Sequence, residues 1–442
     1  MAHFSLLLTL LFSLVIGNNP EIENKLNTYV HALEESETFT GVIMVRFEDQ
    51  LFAYAMGYTN TENSSKNSIE SWFRYASISK PFTAVLLYRM EQEGLLKMED
   101  LLTTYYDDRP NWEHITLAHL LAHRSGIPNY TSFDDFVPTM HLPTTNEAII
   151  ERFKHLDLEF EPGSAFSYSN SGYTLLSDII ERVSGLNYAE ALKHFVLKPG
   201  GIEQAAYEDP DKNFPLLSRG YTSPLQVEPA MTIHMSIPQG AGGVAGDARA
   251  LLQLLDAVYN DDFLSETSRN RMFKPVSANY GHGWALGPLL DYPAVGHAGG
   301  INGFATNFMH VPIKELSIVV LSNTQTATVG TITRDLAAVI LGRSYTLPEK
   351  RTRISVAPEI LIRYEGVYEL FPGFTLTITT EDDRIFAQAT NQPQFEIFPS
   401  SETEFYLTVV EARIVFTVNE NEDVTGLTLF QGGQTIPGKK ME

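Results

Sequence analysis

The sequence predicts an α/β protein in which a sheet is flanked by helices and interrupted by an all-helical subdomain, with a small all-β domain at the C-terminus. Three observations carry that prediction. Two strand-like runs near the N-terminus are followed by a long helical middle, and two further strand-like runs and a helix come after it. Composition shifts after Ser344, beyond which every periodic segment is short and strand-like. At 442 residues the chain is long enough for two or three domains with ample core.

Taken in order, residues 20–36 place Ile22, Leu26, Tyr29, Val30 and Leu33 at helical spacing, the pattern of a helix laid on a sheet. Residues 41–47 and 51–56, parted by Glu48, Asp49 and Gln50, read as a β-hairpin, and residues 59–71 as a polar loop. An apolar helix then opens near Ser77, carrying Val85, Leu86, Leu87 and Met90, and Gly94 closes it. Residues 115–126 read as a short helix with a glycine at its end, and residues 144–155 and 174–183 as two more helices. The run Gln239-Gly-Ala-Gly-Gly243 is a close backbone approach; it lacks the strand-and-helix spacing of a phosphate loop. Asp247 is a good N-cap for a helix over 248–259. Residues 305–311 and 316–321 read as strands joined by Pro312-Ile-Lys-Glu315, and residues 331–341 as a helix. After a linker at Leu347-Pro-Glu-Lys350, runs at 366–370, 374–379, 385–389, 395–398, 405–409, 414–418, 427–430 and 434–437 alternate with turns. Roughly eight strands in about 80 residues suit a small antiparallel barrel or sandwich.

Composition narrows the function. Hydrophobic content is 43% and charged content 19%, an ordinary globular balance. The net charge of −23 argues against nucleic acid and anionic membrane surfaces, both of which need Lys/Arg patches. With no cysteine there is no disulfide, thiol nucleophile, zinc–thiolate site or lipidated cysteine. Residues 1–17 have the form of a signal peptide: the apolar run at 6–16 is too short to span a bilayer, and a cut before Asn18 follows acceptable residues. The expectation is an exported protein, periplasmic or secreted, with no stable membrane insertion once the leader is removed.

Three motifs can carry chemistry. In Tyr75-Ala-Ser-Ile-Ser-Lys-Pro-Phe-Thr83, Ser77 and Lys80 fall one helical turn apart. A serine hydroxyl needs a base within hydrogen-bond reach, and a desolvated lysine can serve; the helix start offers free N–H groups to an acyl oxygen. Alone, Ser-x-x-Lys is usually a helix cap followed by a solvated lysine. In Tyr168-Ser-Asn170, a tyrosine beside a lysine would have its phenolate favoured and could take a serine proton, while the asparagine can bind a substrate amide. Such aromatic loop residues more often pack. In His297-Ala-Gly-Gly300, placed at the start of a strand, Gly299 and Gly300 let a substrate backbone lie close. His119 and His123 sit at the spacing of a helical metal pair, but no third ligand is evident and packing histidines is the favoured reading. No metal site and no cofactor is expected.

In this order and with their surroundings, these motifs resemble the serine β-lactamase and penicillin-binding-protein superfamily. The branch is that of class C-like β-lactamases, D,D-carboxypeptidases, D-aminopeptidases and related esterases. The resemblance runs over residues 22–342 and includes residues 115–128, Glu161-Pro-Gly-Ser164, Tyr168-Ser-Asn-Ser-Gly-Tyr173, Gly242-Gly243 and residues 297–303. Residues 360–442 resemble the lipocalin-like barrel that some members carry. The resemblance implies a catalytic domain over 18–345, a linker over 346–359 and the barrel over 360–442. It implies that Ser77 is acylated, that Lys80 and Tyr168 share the proton transfers, and that Asn170, His297, Gly299 and Gly300 bind substrate. The backbone N–H groups of Ser77 and Gly300 would form the oxyanion hole. His297 stands where β-lactamases have the lysine of Lys-Thr-Gly, a cation exchanged for a group charged only part of the time. That favours a D-amino-acid peptidase or an esterase acting on a small-molecule or peptide substrate. A β-lactamase and a non-catalytic penicillin-binding or scaffolding protein are the alternatives. If His297 anchors a substrate carboxylate as a cation, kcat/KM should fall as pH rises through its pKa. The oligomeric state is open.

Overall fold

The computed structural model describes residues 12–16, 19–107, 110–223, 228–277, 279–350, 353–392, 394–407, 412–419, 421–431 and 434–441. They fall into two compact units, one holding most of residues 19–346 and the other most of 347–441, with 31–38 and 326–328 grouped with the second. No helix of the described residues is long and apolar enough to cross a membrane.

The first unit is built on a seven-stranded antiparallel sheet. Its strands are β1 (Phe12–Ile16), β2 (Gly41–Phe47), β3 (Gln50–Met56), β4 (Ala285–Leu289), β5 (Tyr292–Ile301), β6 (Phe304–Val311) and β7 (Leu316–Ser322), in the order β1-β3-β2-β7-β6-β5-β4. The hairpin of β2 and β3 is as expected, with Glu48 in the left-handed conformation at its turn. Every residue of β7 is buried, so both faces of the sheet are covered. Val42, Met44, Val319 and Leu321 alternate onto the main core, as the period of two requires.

The helices are α1 (Pro20–Glu35), α2 (Ser79–Gln92), α3 (Asn170–Ser184), α4 (Ala248–Tyr259) and α5 (Val329–Ile340). Tyr29 of α1 donates a hydrogen bond to Asp335 of α5. Asp247 caps α4 by accepting from the Ala250 N–H at 2.9 Å, as its sequence position suggested. The expected helical subdomain lies between β3 and β4 and comprises α3, Leu117–Leu121, Asn146–Phe153, Tyr188–Leu192 and shorter turns. Helix α3 begins earlier than its apolar periodicity indicated. Its first turn is polar, and the Asn129 side chain accepts the Asn170 N–H at 3.0 Å, so tertiary contact rather than propensity sets the start.

Several elements differ from expectation. His297 lies in the middle of β5, not at its start. Strand β4 and a small sheet of Phe73–Arg74, Val244–Gly246 and Ala205–Tyr207 form in segments without strand periodicity, because pairing partners are supplied from elsewhere in the chain. The loop over 59–71 contains a short pair, Tyr58–Asn60 with Ser65–Lys66. Part of the stretch expected to be a leader, Phe12–Ile16, is an edge strand here: Phe12 pairs with Ala55 and Ile16 with Leu51. The rest of that stretch lies outside the described residues.

The second unit is a closed antiparallel barrel, which decides between barrel and sandwich. Its strands are β8 (Gly366–Phe371), β9 (Phe374–Glu381), β10 (Arg384–Ala389), β11 (Gln394–Pro399), β12 (Glu404–Leu407), β13 (Ala412–Val418), β14 (Val424–Gln431) and β15 (Gln434–Lys440), and β15 returns to β8. Closure leaves no free edge. The interior is filled by Tyr368, Ile378, Ile397, Phe405, Ile414 and Phe416, so the barrel is a packed core.

Candidate active site

Ser77 sits in a single 3₁₀ turn, Ala76–Ile78, immediately ahead of α2. Ala76 adopts φ of 52°, a left-handed conformation that a residue with a Cβ enters only under constraint. The constraint is visible on both sides of it. The Tyr75 N–H donates to the Val244 carbonyl at 2.9 Å, the Tyr75 hydroxyl donates to the Asp247 carbonyl, and Thr306 Oγ1 donates to the Tyr75 carbonyl at 2.9 Å. Strand β5 presses on the same turn. A Cβ at Gly299 would lie 2.2 Å from the Tyr75 carbonyl oxygen, so only glycine permits this approach. The structure thus makes Gly299 a packing residue. Gly300 is exposed and has open space beside it. Strand β4 pairs with β5 only as far as Gly296, so among the described residues no strand pairs with His297–Ile301 on that edge.

Lys80 is wholly buried. Its Nζ lies 3.1 Å from Ser77 Oγ, 2.9 Å from Asn170 Oδ1 and 2.9 Å from the Ala241 carbonyl oxygen. Asn170 Nδ2 donates to Thr131 Oγ1 at 3.2 Å, which turns Oδ1 toward the lysine. Tyr168 and Tyr173 present their rings to Nζ at 4.8 and 5.2 Å. Among the described residues no carboxylate pairs with Lys80, and burial holds its pKa well below the ordinary lysine range. A neutral amine has two N–H bonds and one lone pair. Two of its three partners, the Asn170 and Ala241 oxygens, can only accept. The ammonium form donates to Ser77 Oγ as well, at 3.1 Å, whereas in the neutral form the lone pair is what is left for the Ser77 hydroxyl. The glycine run noted in the sequence explains the third contact: Gly240 has φ of 75°, and the loop seats on α2 through Thr83 Oγ1 donating to the Gly240 carbonyl and the Val244 N–H donating to Ser79 Oγ.

Burial raises the pKa of Tyr168 well above the usual phenol value, against a smaller opposite effect of the Ser77 hydroxyl. The expected phenolate is thereby corrected: burial disfavours the charged form of the phenol. His297 is corrected more fully. It is 5% exposed and burial pushes its pKa down to about 3. Its Nδ1 donates to the Ala298 carbonyl at 2.6 Å, so Nε2 accepts from the Tyr280 hydroxyl at 2.8 Å. Both ring nitrogens are used inside the protein, and the expected part-time cation facing a substrate is absent.

His123 is the residue whose part the sequence reading did not find. It lies beyond the short helix with φ of 56°, so it and His119 do not share a helical face, and among the described residues no cluster could hold a metal. Its carbonyl accepts the Ser167 N–H at 3.0 Å and its Nδ1 accepts the Ser169 N–H at 3.2 Å. Its ring lies 4.0 Å from that of Tyr168. His123 therefore grips Tyr168 from the residue before, the residue after and the ring face. Tyr280, the second omission, was signalled only by its aromatic and glycine-rich surroundings. The Ala241 carbonyl carries no side-chain signature at all.

A cavity of about 200 Å³ opens beside Ser77. Ser77, Asn170 and Gly300 line it, with Tyr130, Thr131, Ile237 and Asn302 among the other walls; Lys80 lies behind Ser77. Tyr168, His297 and Gly299 do not line it.

The sequence model of the family described as Beta-lactamase matches residues 27–341, and a Domain of unknown function (DUF3471) matches residues 350–440. Penicillin-binding protein 4* of Bacillus subtilis is 29% identical over 424 residues, spanning 90% of this chain and 94% of that protein. A D-aminopeptidase of Gluconobacter oxydans is 26% identical over 71% of this chain and 60% of its own length. Among solved structures, the octameric penicillin-binding protein homologue from Pyrococcus abyssi aligns with a TM-score of 0.64 at 24% identity, covering 95% of this chain and all of that one. The D-amino acid amidase from Ochrobactrum anthropi complexed with D-phenylalanine aligns with a TM-score of 0.62 at 21% identity, covering 72% of this chain and 99% of that one. These structural likenesses confirm the fold.

Proposed function

The chain belongs to the Beta-lactamase family of serine hydrolases, and on that premise we propose that Ser77 attacks the carbonyl of an amide or ester and carries its acyl group as a covalent intermediate. The observation that carries the proposal is Lys80 Nζ, buried with no carboxylate to pair it among the described residues, 3.1 Å from Ser77 Oγ and held there by two obligate acceptors. As Ser77 Oγ bonds to the carbonyl carbon, its proton passes to Lys80 Nζ. The carbonyl oxygen takes up the negative charge beside the backbone N–H groups of Ser77 and Gly300, the donors available at the turn and at the edge of β5. Collapse of the tetrahedral species breaks the bond to the leaving group. That group regains the proton from Lys80 through the neutral Tyr168 hydroxyl, which can donate and accept in the same step. Water, deprotonated by the same route, then attacks the acyl-enzyme and releases the acid.

The likeness to a D-aminopeptidase and a D-amino acid amidase supports an amide or peptide substrate, D-amino-acid derivatives included. β-Lactam hydrolysis is the weaker reading, because His297 has no N–H left for a ligand carboxylate. A scaffolding role would leave a buried, unpaired lysine without a use. Treatment with a fluorophosphonate followed by peptide mapping tests the assignment: the adduct should sit on Ser77 and vanish in Ser77→Ala. A folded protein that stays unmodified, or is modified elsewhere, would overturn it.

A further inference from the structure

We propose that the acyl donor is uncharged: an ester or amide whose acyl side is apolar and carries neither a free ammonium nor a carboxylate beside the scissile bond. This deepens the reading of Ser77 as nucleophile and rests on it, and it narrows the D-amino-acid derivatives named there to those whose amine is acylated. The first support is the cavity itself. Its walls are aromatic and aliphatic, with Tyr130, Phe136, Ile233, Ile237 and Ile301 prominent, and among the described residues none that lines it is an acid, a lysine, an arginine or a histidine. Its polar groups are neutral. Asn170 and Thr131 stand at one side, and at another Asn302, whose Nδ2 makes only a 3.8 Å contact with the Met140 sulfur. An apolar cavity of about 150 Å³ holds a benzene ring; this one, at about 200 Å³, takes a phenylalkyl or branched aliphatic acyl group.

The second support is what each charge would meet there. A substrate ammonium would lose its water and find no carboxylate lining the cavity. A substrate carboxylate would find no lysine, arginine or histidine among the described lining residues, and behind them both nitrogens of His297 are engaged. It would also act on the base. An anion near Lys80 favours the ammonium form, and protonation removes the lone pair that Ser77 needs. The net charge of −23 adds long-range repulsion against anions and none against neutral molecules. The expected order is therefore neutral first, ammonium second, carboxylate last.

Three alkyl fluorophosphonates with the same fluoride leaving group test this: one tipped with a phenyl ring, one with an ammonium and one with a carboxylate. The measured quantity is the second-order rate of Ser77 modification in the full-length protein, followed by mass spectrometry. The phenyl probe should react at least about tenfold faster than the carboxylate probe, the least that burying an unpaired charge should cost. Asn302→Lys, which brings a cation to the wall, should narrow that gap. Modification of Ser77 at equal or greater rate by either charged probe would overturn the inference and leave the nucleophile in place. Failure of all three to modify Ser77 would overturn both.

Discussion

In the C-terminal barrel the buried tyrosines have partners for their polar tips: Tyr364 donates to the Glu402 carbonyl and Tyr368 to the Tyr364 carbonyl. Phe416 stacks on Tyr364 with ring centroids 4.1 Å apart, and Phe405 meets both edge to face. Left-handed residues other than glycine fall in turns, at Asp382, Asn391 and Glu422. Around Ser77 the reverse holds. Lys80 is buried with no acid to pair it, His123 Nε2 and Ser169 Oγ are buried without partners on either side of Tyr168, and Ala76 and His123 are left-handed. The barrel keeps its described exceptions to turns, while the first unit also gathers several of its own around Ser77, beside others spread through its core. Exceptions of that kind persist only where the surrounding structure holds them and a function uses them.

The largest expected break in this comparison comes from Lys80→Met. Acylation of Ser77 should fall by about three decades, the middle of the range for a positioned base. The same variant bears on stability, with a definite sign. In the unfolded chain Lys80 regains the ordinary value of 10.5 and is protonated, whereas in the fold burial lowers its pKa. Below pH 10.5 the unfolded state thus binds more protons, and wild-type stability falls as pH falls toward the folded pKa. Lys80→Met lacks this term. The melting temperature of the variant relative to wild type should climb as pH falls from 10, and a constant difference would show that the native lysine is charged.

Phe416→Ala is the matching test in the barrel. Its side chain is 3% exposed, and truncation should cost about 3–5 kcal/mol. Denaturant unfolding followed by hydrogen exchange of the barrel amides should show that loss; a change below about 1 kcal/mol would mean that the barrel interior can collapse around the gap. The smallest effect is expected at His123. His123→Phe keeps an aromatic ring against Tyr168 but leaves the Ser169 N–H without its acceptor. By loosening Tyr168 alone it should lower kcat about tenfold, the effect of losing roughly one hydrogen bond's worth of positioning, with KM near wild type. An equal change in both constants, or in KM only, would place His123 in general packing instead.

The sequence made regular parts legible and left exceptions obscure. The eight barrel strands, the β2–β3 hairpin and the Asp247 cap follow from periodicity and turn chemistry, which are local. Ser77, Lys80 and Asn170 were identified because their chemistry is written in side chains at fixed spacing, and the structure brings all three together. The Ala241 carbonyl was not, because any residue can offer a carbonyl. His297 was expected on a strand, though at its start, and was given the wrong electrostatics: its ring turns inward to Tyr280, a pairing set by the fold and not by neighbouring residues. His123 was weighed only as half of a metal pair. A left-handed backbone at a histidine has no sequence mark, and that backbone is what places its ring on Tyr168.

The most direct test of an uncharged Lys80 acting on Ser77 is the rate of Ser77 modification by the phenyl-tipped fluorophosphonate between pH 5 and pH 11. The expected result is a single rise that levels off well below pH 10.5, the ordinary lysine value, and that is lost in Lys80→Met. A rate still climbing at pH 10.5, or a profile unchanged by Lys80→Met, would contradict it.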